Sequence, residues 1–146
     1  MTASTAQPVY SGTPTRKQVL LGHVIVTKTT SPTVTDDDMA IPQDWRNDDR
    51  LSHPTLGHKE HGRTLCIHSL AVLPAFQRRG LGKLLLRSYI QRIEGSGVAD
   101  RIAIISHEHL LPFYEGLGFE KKGPSTAQFG GGNWTDLVLE LKNAPQ

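Results

Sequence analysis

The sequence predicts an α/β fold in three layers, α/β/α, around a mixed and partly parallel sheet. Apolar, β-branched runs at 19–28, 64–72 and 101–106 read as strands. Between the last two, Leu81, Leu84, Leu85, Tyr89, Ile90 and Ile93 recur at helical spacing. A strand, a helix and a strand in succession make a crossover, which pairs the two strands in parallel.

The elements follow in chain order. Residues 1–17 are rich in Thr, Ser and Pro and are expected to be a flexible segment ahead of a single domain at 18–146. The first strand is followed at 29–62 by a long polar stretch with Pro32, Pro42 and Pro54, the kind of loop that is functional or unstructured. The strand at 64–72 stops before Pro74. A helix is expected over 81–94, stopped by Gly95 and Gly97. A second helix is expected over 109–117, with Pro112 in its first turn, where a missing N–H costs least. A hairpin starting at 119–122 returns through 134–141, with Leu137, Leu139 and Leu141 on one face.

Composition bounds the function. The 146 residues suffice for one domain with a core, and a net charge of +2 gives no broad nucleic-acid surface. The lone Cys66 excludes an internal disulfide and fits a reducing compartment. No run has the length of a membrane span and no signal core opens the chain, so a cytoplasmic location is expected.

The turn between the strand at 64–72 and its helix carries the most chemistry. Gln77, Arg78, Arg79, Gly80, Leu81, Gly82 and Lys83 place glycines and cations where a helix begins, and unpaired N–H groups there favour phosphate. A P-loop is excluded because Leu84 follows Lys83, and a Gly-x-Gly-x-x-Gly turn because Leu85 stands at the third glycine. A ligand-free tight turn is the rival reading; the arginine pair weighs against it.

This pattern, Gln/Arg-x-x-Gly-x-Gly/Ala, resembles the pyrophosphate loop of the GNAT-type N-acetyltransferases. The run Leu-Pro-Phe-Tyr-Glu-Gly-Leu-Gly-Phe at 111–119 resembles that family's Phe-Tyr-x-x-x-Gly-Phe segment. The resemblance implies a GNAT-like fold and acetyl-CoA as co-substrate. Its pyrophosphate lies on the N–H groups of Arg78, Arg79, Gly80, Leu81, Gly82 and Lys83. Its pantetheine lies along Leu70, Ala71 and Val72, with the Leu70 N–H polarising the thioester carbonyl. Tyr114 matches the general acid that protonates the departing thiolate; packing against the sheet is its plain alternative.

The run at 65–72 is similar to the His-Leu-His-Ala-Leu-Ala-Val strand of the arylalkylamine (serotonin) and polyamine acetyltransferase branch. His68 matches the second histidine. An amine must lose a proton before it attacks, and an imidazole is the natural acceptor. Cys66 stands at the first histidine, so a two-histidine relay is not implied. Alternation places Cys66, His68, Leu70 and Val72 on one face. A buried thiol is a more ordinary role for Cys66 than an acyl-carrying nucleophile.

No metal is expected, although His53, His58, His61, Cys66 and His68 crowd together, because they follow no zinc spacing. His107 and His109 either approach the cofactor or cap the second helix. The acidic run Asp36, Asp37 and Asp38, with Asp44, Asp48 and Asp49, leans toward a cationic acceptor such as a polyamine, against the plainer reading of a solvated loop. The resemblance implies a direct transfer of acetyl to a small primary amine. It also implies a strand and two helices without counterpart here, which leaves either an open acceptor site or a homo-oligomer covering it. A non-catalytic acyl-CoA-binding relic and a His-rich metal or interaction domain are the alternative functions.

Overall fold

The computed structural model describes residues 17–41, 46 and 55–142; apart from Lys17, the expected flexible segment lies outside them. Strands β1 (Gly22–Thr29), β2 (Thr64–Val72), β3 (Arg101–Ser106), β4 (Glu120–Pro124) and β5 (Thr135–Glu140) form one sheet in the order β1-β2-β3-β5-β4. Helix α1 is Asp36–Met39, α2 is Leu81–Ile93 and α3 is Leu111–Glu115. Among the described strands only β2 and β3 pair in parallel, as the crossover through α2 requires.

Each face of the sheet has its own core. Leu65, Ile67, Ile102, Ile104 and Leu137 meet Leu86 and Ile90 of α2 and Leu111 and Tyr114 of α3. On the other face Cys66, Ala103, Ile105 and Val138 meet Val34 and Ala127, with Met39 and Trp134 at the margin. The third layer is therefore thin, built from α1 and connecting loops.

The second helix is shorter than its sequence pattern. A 3-10 turn occupies Glu108–Leu110 and α3 begins only at Leu111, with Pro112 in its first turn. The polar stretch expected to be loop contains α1. Thr35 caps it: its hydroxyl accepts from the Asp38 N–H, and the Asp38 carboxylate accepts from the Thr35 N–H at 2.9 Å.

Two irregularities in β2 prepare the site. Val26 lies opposite Ile67 but Ile25 lies opposite Ser69, so β2 carries one extra residue, His68. This bulge reverses the alternation. Cys66 packs on the α1 face, whereas Leu70 packs against the cluster under α2 and α3. The single face expected for Cys66, His68, Leu70 and Val72 is thus divided. Secondly, β2 and β3 pair only from Thr64 with Arg101 to Cys66 with Ala103. Beyond that point the strands diverge and leave a gap at their carboxyl ends, where open α/β sheets bind ligands.

Candidate active site

The gap holds two cavities. One, of about 570 Å³, is lined by Val72, Phe76, Arg78, Gly80, Gly82 and Lys83 and closed on the far side by Phe113. The other, of about 320 Å³, is lined by Met39, His68, Ser69, His107, Phe129 and Trp134. Leu70, Leu110 and Tyr114 line both, so the cavities meet there.

The larger cavity is floored by free backbone donors. The Leu84 N–H is the first to close the helix, on the Gly80 carbonyl at 2.9 Å. The amides of residues 78–83 take no backbone acceptor among the described residues, and no side chain caps α2. Its first turn holds no acidic residue. Gly80 sits at φ +83°, a left-handed conformation that glycine adopts without strain. Arg78 adopts φ +62° without that freedom, at a cost of about 1–2 kcal/mol. A Cβ on Gly82 would stand 3.8 Å from the Phe113 ring, in ordinary contact with it. The Gln77 side chain donates to the Val72 carbonyl at 2.9 Å and braces the turn against β2. An anion of pyrophosphate type fits this cradle: donors are free, the helix dipole is favourable and no carboxylate opposes it.

Backbone parity explains what β2 offers. The Leu73 N–H donates to the Leu21 carbonyl at 2.7 Å. Hydrogen-bonded pairs in an antiparallel ladder recur every second residue, so Ala71 and Ser69 also turn their polar groups to β1. The N–H groups of Leu70 and Val72 point the other way, into the gap. Ala71 lines neither cavity, and its backbone is spent on β1. Arg79 is also absent from the larger cavity's wall; its guanidinium lies 5.4 Å above the Phe76 ring.

His68 is held from across the sheet. Its Nε2–H donates to the Asp38 carbonyl at 2.9 Å, which leaves Nδ1 to accept a proton when the ring is neutral. Asp38 itself is buried, 1% exposed, and its carboxylate meets Lys59 Nζ at 3.1 Å. Burial alone would raise its pKa. Hydrogen bonds from Thr29 and Thr35 and the Lys59 ammonium outweigh that, and the net direction is down.

A carboxyl lowered by folding stabilises the fold above its unfolded value and loses that contribution as pH falls through the folded value. Unfolding in urea should therefore become easier below about pH 4. Asp38→Ala should cost about 3–5 kcal/mol at neutral pH, because it strands Lys59 in a buried site. A loss below about 1 kcal/mol, the range of a surface ion pair, would contradict the role of this pair.

Tyr114 is 7% exposed and packs edge-on against Phe113 and Phe119, with ring centroids 5.0 and 5.8 Å away. Burial pushes its phenol pKa up, so the hydroxyl holds its proton at neutral pH. Cys66 is fully buried, and burial, reinforced by the Asp38 charge, pushes its thiol up to about 12. It is no nucleophile near neutrality.

Of the acidic run, Asp36 and Asp37 are exposed and Asp38 is buried. Asp36 accepts from the Gln128 and Phe129 N–H groups, and Asp38 is spent on Thr35 and Lys59. Asp44, Asp48, Asp49 and His53 lie outside the described residues. His58 accepts from the Lys28 N–H and donates to Glu60, and His61 is exposed. Among the described residues no three metal-ligating side chains converge. His107 stacks on Trp134 at 3.8 Å and forms one wall of the smaller cavity; His109 is exposed. The sequence reading missed Asp38 and Lys59, though Thr35-x-x-Asp38 carries the spacing of a capping box. No helix among the described residues is long and apolar enough to cross a membrane.

Residues 49–141 match the family described as "Acetyltransferase (GNAT) domain". Serotonin N-acetyltransferase of Macaca mulatta is 31% identical over 101 residues, 69% of this chain and 50% of that protein. The chloroplastic GCN5-related N-acetyltransferase 3 of Arabidopsis thaliana is 34% identical over 74 residues, 49% of this chain and 31% of that one. The chain thus spans about half the length, or less, of the curated relatives it matches. Among solved structures, the GphF GNAT-like decarboxylase in complex with isobutyryl-CoA superposes with a TM-score of 0.60. That match covers 88% of this chain and 76% of that one at 12% identity, a likeness of fold alone. The chain belongs to the GNAT acetyltransferase family.

Proposed function

We propose that the protein transfers acetyl from acetyl-CoA directly to the primary amine of a small aromatic amine. The observation that carries this reading is the meeting of the two cavities at Leu70, Leu110 and Tyr114. One cavity ends in the free amides of α2 and the other opens onto His68. The acetyl thioester supplies the acyl group and a thiolate leaving group.

The chain's own residues do the rest. The amides of residues 78–83 hold the pyrophosphate. The Leu70 N–H, free in the gap, is a fixed donor for the oxygen on which negative charge develops. His68 takes the amine's proton at Nδ1 while Asp38 holds Nε2. Tyr114 gives its phenol proton to the departing sulfur. Both cavities bring their contents to one point, so positioning supplies much of the rate.

The choice of amine rests on the smaller cavity. Its wall is Met39, His107, Leu110, Phe129 and Trp134, with no carboxylate among the described lining residues. Such a wall suits a flat apolar ring and offers nothing to a second or third ammonium. This favours the arylalkylamine over the polyamine. Thiol release in the presence of acetyl-CoA should be faster with tryptamine than with spermidine at equal concentration. The reverse order would contradict this specificity. We expect no metal requirement, and chelator should leave the rate unchanged. The reaction suits the cytoplasm, where acetyl-CoA is available.

A further inference from the structure

Ser69 follows His68 on the bulged strand and lines the smaller cavity. Its hydroxyl lies 2.9 Å from Nε2 of His23, which faces the same side of the sheet from β1. His23 is half-buried and in reach of water. His68 itself has no onward route: its second ring nitrogen is bound to a peptide carbonyl, which does not pass protons on. Cys66, two residues earlier, is sealed in the core.

We propose that Ser69 and His23 form a proton relay from the acceptor cavity to solvent, serving the same transfer reaction; this inference rests on the acetyltransferase reading. An ammonium that becomes an amide gives up two protons: the first passes to Ser69 Oγ, which donates its own hydroxyl proton to His23 Nε2, and His68 takes the second at Nδ1 as the carbon–nitrogen bond forms. The products of the first transfer are a neutral amine, an unchanged serine and a protonated His23, which discharges to water. The relay runs in the tautomer that carries the hydrogen on Nδ1 and leaves Nε2 to accept. The titratable groups that share the cavity with Ser69 are His68 on β2, His107 and Tyr114. On α1 the Asp38 carbonyl holds His68, and the Asp38 carboxylate is tied to Lys59.

The test compares the parent chain with His23→Ala, His23→Gln and Ser69→Ala by amine-dependent thiol release between pH 6 and 9. Both His23→Ala and Ser69→Ala should lower kcat on the order of tenfold and move the acid limb, with KM for acetyl-CoA unchanged. The double variant should be no worse than either single one, since one path is cut only once. Added imidazole should restore His23→Ala, which a merely structural histidine would not allow, and should leave Ser69→Ala unaffected. His23→Gln keeps a hydrogen bond to Ser69 but cannot titrate, and should behave as His23→Ala. Single variants with the parent's rate and pH profile would overturn the relay while leaving the acetyltransferase reading intact. A folded parent that binds acetyl-CoA but releases no thiol with any amine would overturn both.

Discussion

Replacing His68 with glutamine should lower kcat by about 10²-fold and flatten the acid limb of the pH–rate profile. Glutamine places an N–H near the former Nε2 and keeps the donor to the Asp38 carbonyl, so fold and cavity shape survive. What it lacks is a basic nitrogen to take up a proton where Nδ1 stood. The loss therefore isolates proton acceptance from positioning. Affinity for acetyl-CoA should not change, because His68 lines only the smaller cavity. An unaltered acid limb would remove His68 from the role of base.

The second large effect is expected at Tyr114. Tyr114→Phe retains the ring that packs on Phe113 and Phe119 and removes one hydroxyl. Turnover should fall by about 10²-fold, near 2.7 kcal/mol of barrier, with acetyl-CoA binding intact. A leaving group more acidic than the CoA thiol should recover part of the loss, since it needs less help from an acid. Loss of binding instead would make Tyr114 a packing residue. Tyr114 lines both cavities while its ring belongs to the core, so the substitution separates the two roles.

The elements nearest the site were the most legible in the sequence. The strand at 64–72, the start of the helix at Leu81 and the strand at 101–106 follow from local pattern, and their bounds agree with β2, α2 and β3. The glycine turn before α2 is legible for the same reason: glycines, cations and helix start are contiguous. What distant partners decide was not legible. The bulge at His68 depends on how β1 pairs with β2, and nothing within 64–72 breaks the alternation. The His68 ring is oriented by a carbonyl 30 residues away, and Asp38 is buried only because Lys59 arrives from beyond the loop. Composition alone also does not reveal that the carboxylates of Asp36 and Asp38 are taken up by hydrogen bonds.

The divided face of β2 has a mechanistic consequence. In an unbulged strand His68 and Leu70 would face the same side of the sheet. The bulge sends His68 to the α1 side and the Leu70 side chain to the α2 side. The Leu70 N–H lies in the gap between them.

The most direct test of the central claim is calorimetric titration of the purified chain with acetyl-CoA, followed in the same sample by thiol release on adding tryptamine. Saturable binding with amine-dependent release is the predicted result. Absence of binding by a demonstrably folded chain, or binding with no release on adding any amine, would contradict it.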